Sequence, residues 1–307
     1  MVAPDRDRPP VPGAARAGHV AGPPTDGELR RMFDTSVPNV ARAYDYLLGG
    51  KDNYAADRRL AERIVELIPD AVQSCRLNRE FLVRVVGHLA RQGIRQFIDI
   101  GSGLPTHPNV HDIVQSVGPD ARVVYVDNDH VVAAHARALL MGGAGVFAID
   151  GDLRKPEDII TSARELIDFR EPAAVLMFAV LHFITDAEQP AKLIGAFKDA
   201  VVPGSCLAIS HITDDQVSPV VSREAQAVYR DASAPAVPRS RSDIGQFFAG
   251  FSLLGPGVVD INDWPAQGRL PEVGKRPAAT LFYGGVGVKD NPRPRREPDH
   301  RTSLARV

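Results

Sequence analysis

Cysteine is scarce in this chain: Cys75 and Cys206 are the only two among 307 residues. They form no CxxC pair and match no metal-ligand spacing, and each falls inside an apolar stretch. Two buried free thiols in a reducing compartment are therefore expected. A run of about 18 apolar residues is also lacking, which argues against a membrane-spanning helix. The first residues carry no apolar segment of secretory type, so the expected location is the cytoplasm. Charge of one sign is not in excess: 36 Lys and Arg stand against 38 Asp and Glu, for a net charge of −2. With no basic groove and no aromatic stacking ladder, nucleic acid is not an expected partner. There is no internal repeat. What is present is an ordinary globular composition, 44% apolar, enough for a core in one or two domains of roughly 150 residues each.

The two ends differ from the middle. Residues 1–25, rich in Pro, Ala, Gly and Arg without a period, read as a disordered arm, and "KDNPRPRREPDHRTSLARV" from Lys289 reads as a second such tail, 289–307. Residues 26–93 have helical patterning and are expected to form a helical cap. "VPNVARAYDYLLGG" puts Pro38 in a first turn and Gly49 just past the end. "DRRLAERIVELIPD" carries Leu60, Ile64, Leu67 and Ile68 on one face and stops at Pro69. A further helix, with Leu77, Phe81, Val85 and Leu89 on its face, stops at Gly93.

After Gly93 strands and helices alternate. "RQFIDI", "ARVVYVD", "GVFAID", "AAVLMFAV" and "CLAISHI" read as strands, with helices between them. Strands apolar on both faces and separated by helices predict βαβ units and a doubly wound parallel sheet covered on both sides. A helix around "DIGQFFAG" and a strand pair, "FSLLGPGVVDI" with "AATLFYGGVGV", complete a domain over residues 94–288.

The first βα turn of such a sheet is where a ligand is expected. Here it reads Asp99-Ile-Gly101-Ser102-Gly103-Leu-Pro105. Gly101 and Gly103 remove Cβ atoms where backbone would approach a ligand, and the next helix is expected to aim its free N–H groups there. Position 106 is Thr, so the dinucleotide pattern G-x-G-x-x-G fails, and no phosphate-binding G-x-x-x-x-G-K-[ST] occurs. Asp127 ends the second strand, where a carboxylate can accept from both ribose hydroxyls and disfavours a ribose phosphate. Asp152 follows the third strand, within reach of an adenine amino group. The fourth strand ends near Ala179, Val180 and His182, beneath the expected ligand. Together these suit an adenosine with a compact zwitterionic tail better than a pyrophosphate.

"DIGSG", "VVYVDND", "GDLR" and "AVLMFAVLHFI" resemble the successive motifs of class I S-adenosylmethionine-dependent methyltransferases. "NVARAYDYLLGGKDNYAADR" taken with "FIDIGSGLPT" is similar, more narrowly, to an actinobacterial methyltransferase family long known only as a domain of unknown function. The resemblance spans about residues 34–288. It implies a Rossmann-like seven-stranded sheet with its last strand antiparallel, a helical cap over the site, and S-adenosyl-L-methionine as cofactor. Carried onto this chain, it implies Gly101, Ser102 and Gly103 at the methionine end, Asp127 at the ribose, Asn128 and Asp129 beside the adenine, Asp152 and Leu153 flanking the base, and Phe178 and Ala179 beneath. Pro105 stands where the turn usually has its third glycine, and His130 where such relatives have Pro.

Each residue also has a plainer reading. The glycines could serve a tight turn, Asp127 and Asp129 could cap a helix, and Asp152 could belong to a turn. The polar loop after Gly49 would act as a lid if Arg42, Tyr44, Asn53 and Tyr54 faced the ligand, and Tyr44 could otherwise only pack its helix. His182 and His211, after strands four and five, are candidate bases along with Tyr44, because imidazole titrates near neutral pH. A histidine at a strand end is more often structural. Methyl transfer needs no metal and no covalent nucleophile, and a small-molecule acceptor is expected. Two other readings stay open here: a non-catalytic S-adenosylmethionine sensor, and a nicotinamide-dependent oxidoreductase. Oligomeric state is not legible.

Overall fold

The computed structural model describes residues 34–140, 143–265 and 280–290. The arm expected over 1–25 and the tail beyond 290 lie outside the described residues. Three helices come first: α1 (Val40–Leu48), α2 (Ala55–Leu67) and α3 (Ala71–Arg91). Alternation follows with β1 (Gln96–Ile100), α4 (Val110–Val117), β2 (Arg122–Asp127), α5 (His130–Leu140), β3 (Val146–Asp150), α6 (Pro156–Ala163), β4 (Ala173–Phe178), α7 (Pro190–Ala200) and β5 (Cys206–Ile212). The remainder is α8 (Pro219–Val228), α9 (Arg241–Gln246), β6 (Phe251–Leu253), β7 (Val259–Asp260) and β8 (Phe282–Lys289).

The sheet runs β3-β2-β1-β4-β5-β8-β6, with β7 also on β8. Strands β1 to β5 are parallel, and β8 is antiparallel to β5 along its length. Because β5 occupies one edge of β8, β6 and β7 share the other. The expected seven-stranded order is thus met, with its outermost position built from two short pieces.

Neighbouring residues of each strand enter opposite layers. Phe97, Val123, Leu176 and Ala208 join one core, while Ile98, Val124, Met177 and Ile209 join the other. Period-2 side-chain alternation with both faces covered is why the strands read as unbroken apolar runs.

Two expectations need correction. Helix α3 was counted in the cap, yet Phe81, Leu82, Val85 and Leu89 pack in the same core as Phe97 and Val123. Its apolar face has the length and period to cover the sheet, so only its first turn, with Ala71 and Cys75, belongs to the cap core of Ala43, Leu47, Leu60, Ala61 and Ile64. Pro38 is not in a first turn either. Asn39 is the N-cap of α1, its Oδ1 accepting from the N–H groups of Ala41 (2.8 Å) and Arg42 (3.1 Å), which leaves Pro38 outside the helix. Helix α8 turns Ser222, Ala225 and Val228 inward, a face with too few large apolar residues for its period to stand out in the sequence. Both cysteines are free and buried. Among the described residues, no helix is long and apolar enough to cross a membrane.

Candidate functional site

Parallel topology brings the carboxyl ends of β1, β2, β3 and β4 to one edge of the sheet, and a cleft of about 1210 Å³, its open mouth included, lies along it. Its walls include Gly101, Ser102 and Gly103 after β1, Asp127 and Asn128 at β2, Asp152 and Leu153 after β3, and Phe178 and Ala179 at β4. Tyr44 of α1 closes one side.

The glycine turn is held by its neighbour strand. Gly101 N–H donates to the Val126 carbonyl at 2.8 Å with φ +66°, and a Cβ on Gly101 would sit 2.3 Å from Val180 Cγ2. Gly103, φ +64°, gives its N–H to Asp127 Oδ2 at 2.9 Å. The other Asp127 oxygen accepts from Asp129 N–H, also at 2.9 Å. Asp127 therefore clamps the turn to the end of β2 while lining the cleft. At 8% exposure, burial pushes its carboxyl up to about 6, against the pull of those two N–H donors. Ala179 also adopts a left-handed conformation, φ +52°, its N–H bonded to Ser210. Such backbone is rare outside glycine and clusters at ligand sites.

Asp99 was quoted as the acid of the turn but not as a site residue, yet it lines the cleft at 5% exposure. Burial pushes it up to about 7; Arg79 opposes this and Asp127 adds to it. The unfolded chain loses this proton near pH 4 and the folded chain near pH 7. The protein alone therefore loses stability as pH rises between those values. Asp127 is half titrated at pH 6 and adds a smaller share, about 0.4 kcal/mol, between pH 6 and pH 8. From pH 6 to pH 8 Asp99 should cost the ligand-free protein about 1.4 kcal/mol, and Asp99→Asn should remove that share of the pH dependence. Urea unfolding at both pH values checks this; an unchanged pH dependence in the variant would refute it.

Several expected contacts are not made. No first-turn residue of helix α4 lines the cleft; Asn109 and Asp112 form a capping box, and His111 N–H donates to the Tyr125 hydroxyl at 3.0 Å. Arg42, Asn53 and Tyr54 do not line the cleft. Arg42 bonds Asp57 Oδ2 at 2.9 Å and reaches Asp129 Oδ2 at 3.4 Å. Asn53 Nδ2 donates to Asp45 Oδ2 at 2.9 Å, and Tyr54 points its exposed ring toward the Arg42 guanidinium, 5.3 Å from the centroid. The polar loop satisfies the buried carboxylates Asp45 and Asp57 instead of facing a ligand. Asp129 likewise is occupied, accepting from Val131 N–H and Arg42.

The three candidate bases also separate. His211 is wholly buried and lines no cavity described here. Its Nδ1 lies 2.7 Å from the Ile212 carbonyl, so it is the donor there, and Nε2 accepts from Arg239 at 2.9 Å. Burial holds this imidazole down to about 3; with both nitrogens engaged, it is a core residue and not a base. Tyr44 OH donates to the Cys75 carbonyl (3.1 Å) and accepts from Asn78 Nδ2 (2.9 Å), and burial raises its pKa above the phenol range. It stays protonated and forms wall. His182 lines a neighbouring chamber rather than the cleft.

Trp264 is buried edge-on against Phe81 and His88. Arg79 was not singled out in the sequence, since nothing local marks it, but its Nη2 ties the Thr106 and Pro108 carbonyls at 2.6 Å each and so holds the loop after the glycine turn.

Comparison with known proteins points the same way as this geometry. Residues 26–290 match the S-adenosyl methyltransferase family. A candidate methyltransferase from Thermobifida fusca is 39% identical, with 84% of this chain and 97% of that one aligned and a TM-score of 0.78. A DUF574 family protein from Streptomyces avermitilis is 34% identical over 83% of this chain and 99% of that one, with a TM-score of 0.77. No curated protein matches. The family match covers most of the chain and two solved relatives share its fold at substantial identity, so the chain belongs to the S-adenosyl methyltransferases, enzymes that use S-adenosylmethionine as methyl donor.

Proposed function

We propose that the cleft at the carboxyl edge of β1 to β4 binds S-adenosylmethionine and that the enzyme methylates a small molecule. The Asp127 clamp carries this reading. A carboxylate at the end of β2, braced by Gly103 and Asp129 N–H groups, keeps lone pairs free for the two ribose hydroxyls. Asp99 supplies a buried negative charge for the amino acid's ammonium, next to the backbone of Gly101 to Gly103. Asp152 accepts from Arg154 N–H through one oxygen and retains the other for the adenine amino group, with Asn128 and Leu153 alongside. Phe178 and Ala179 form the floor. When bound, the cofactor supplies a methyl carbon activated by its sulfonium for in-line displacement. The chain's part is to align the reactants and exclude water, worth up to about 7–11 kcal/mol in ideal cases. Two reduced buried thiols support a cytoplasmic setting, and the cap, lying beside Tyr44, governs which acceptor enters.

Titration calorimetry with S-adenosylmethionine, S-adenosylhomocysteine and NAD tests the reading. Both adenosyl ligands should bind in the micromolar range and NAD should not. Asp127→Ala should weaken adenosyl binding by about tenfold to a hundredfold, the loss of hydrogen bonds to a charged group. Binding of NAD alone, or adenosyl binding indifferent to the substitution, would overturn it.

A further inference from the structure

Beside the cleft lies a second chamber of about 820 Å³, its mouth included, and Val40, Tyr44 and Phe183 line both. Helix α8 forms one side through Ser222, Ala225 and Gln226; Leu47, Ile64 and Ile68 of the cap form another, and His182 and Phe282 belong to the sheet side.

The lining restricts what can enter. Among the described residues no Lys or Arg lines it, so an ionised carboxylate or phosphate would be desolvated without a counter-charge. The polar groups around the walls are mostly engaged already. Ser222 Oγ donates to Asp214 at 2.7 Å and accepts from Gln226 at 3.0 Å, and Tyr44 OH is bonded to Cys75 and Asn78. His182 is different: it is 4% exposed, and its Nδ1 is buried with no hydrogen-bond partner among the described residues. An orphaned buried polar atom costs about 1–3 kcal/mol, a cost that a turn of the His182 ring toward the chamber and a hydrogen bond to a ligand would remove. Burial, with His211 and Arg239 nearby, holds this imidazole well below its usual value, so it is neutral. The rings of Tyr44, Phe183, Tyr229 and Phe282 supply flat apolar surface.

We propose that this chamber is the methyl-acceptor site and takes a neutral, largely apolar ring compound whose hydroxyl hydrogen-bonds to His182. The proposal rests on the reading that the adjoining cleft holds S-adenosylmethionine. An electron pair of the hydroxyl oxygen forms the new bond to the methyl carbon, the carbon–sulfur pair remains on sulfur, and the hydroxyl proton passes to the unprotonated ring nitrogen of neutral His182, turned toward the chamber. A cationic oxygen that has gained a methyl group is far more acidic than even a depressed imidazolium, so a weakly basic histidine suffices.

Fluorescence titration with 2-naphthol, naphthalene and 2-naphthoate, on protein saturated with S-adenosylhomocysteine, tests this without relying on turnover. 2-Naphthol should bind, 2-naphthoate at least about tenfold more weakly, and naphthalene about fivefold more weakly for want of one hydrogen bond. In His182→Leu the preference for 2-naphthol over naphthalene should vanish, a change that general loosening of the fold would not produce. Ala225→Phe and, nearer the rim, Val217→Trp should abolish 2-naphthol binding while leaving S-adenosylhomocysteine affinity, read by calorimetry, within about twofold. Absence of 2-naphthol binding with S-adenosylhomocysteine bound, equal binding of 2-naphthoate, or a preference that survives His182→Leu would each overturn the chamber assignment and leave the cofactor reading intact. Failure of S-adenosylhomocysteine to bind the wild-type protein would instead strike the cofactor reading.

Discussion

Asp57→Ala should destabilise the protein by about 3 kcal/mol, because it removes the nearer of the two carboxylates paired with a buried guanidinium. Asp57 is fully buried and receives three donors: Arg42 Nε at 2.9 Å and the N–H groups of Asn39 and Tyr54 at 2.8 Å each. Arg42, itself buried, cannot escape by losing its proton. Its remaining partners would be Asp129 at 3.4 Å and the Val37 carbonyl at 3.1 Å. The double replacement Asp57→Leu with Arg42→Met should recover much of the loss, since it removes both charges and fills the space. Urea unfolding of the singles and the double gives the coupling directly. A loss below about 1 kcal/mol for Asp57→Ala would mean the pair is solvated in solution. Because Arg42 also reaches Asp129, next to the Asp127 clamp, the same variant should weaken binding of S-adenosylhomocysteine as α1 loosens.

Gly101→Ala should have the second large effect, on cofactor binding as much as on stability. Two costs combine. The backbone at φ +66° disfavours any L side chain by about 1–2 kcal/mol, and the new methyl group would overlap Val180, whose Cγ2 lies 2.3 Å from its position. Relief requires the turn or Val180 to move, and both line the cleft. Gly103→Ala carries only the first cost, because nothing lies within 4 Å of a Cβ there. The expected order in affinity for S-adenosylhomocysteine is wild type, then Gly103→Ala, then Gly101→Ala, with a loss of at least about tenfold for the last. Val180→Ala introduced with Gly101→Ala should return it to the level of Gly103→Ala. Equal effects at the two glycines would show that conformation, and not crowding by Val180, sets the requirement.

The glycine turn and the strand-end acids were legible because their positions follow from local rules. In a parallel βαβ sheet every strand's carboxyl end lies on one edge, so Asp127, Asp152 and Ala179 are near one another once the strands are recognised. Residues of the cap had no such rule. Arg42, Asn53 and Tyr54 read as a polar lid, and Tyr44 as one member of it, but which of four polar side chains turns inward depends on what the buried carboxylates need. Asp45 takes Asn53 and Asp57 takes Arg42, Tyr54 leaves its ring exposed beside Arg42, and Tyr44 alone meets the cleft. The two histidines show the same limit: His211 lies near the end of β5 and His182 just past β4, yet Arg239, distant in sequence, satisfies His211 and leaves His182 Nδ1 unpaired.

By itself the sequence determined the alternating sheet, the turn that interrupts it after Asp99, and the absence of a dinucleotide fingerprint, because periodicity and turn chemistry act over a few residues. Only the tertiary structure decided that α3 covers the sheet instead of the cap, that α8 and the cap enclose an apolar chamber, and that the loop after Gly49 serves Asp45 and Asp57. Those outcomes depend on which distant groups compete for the same hydrogen bonds and the same buried volume, a competition that is resolved only when the elements pack.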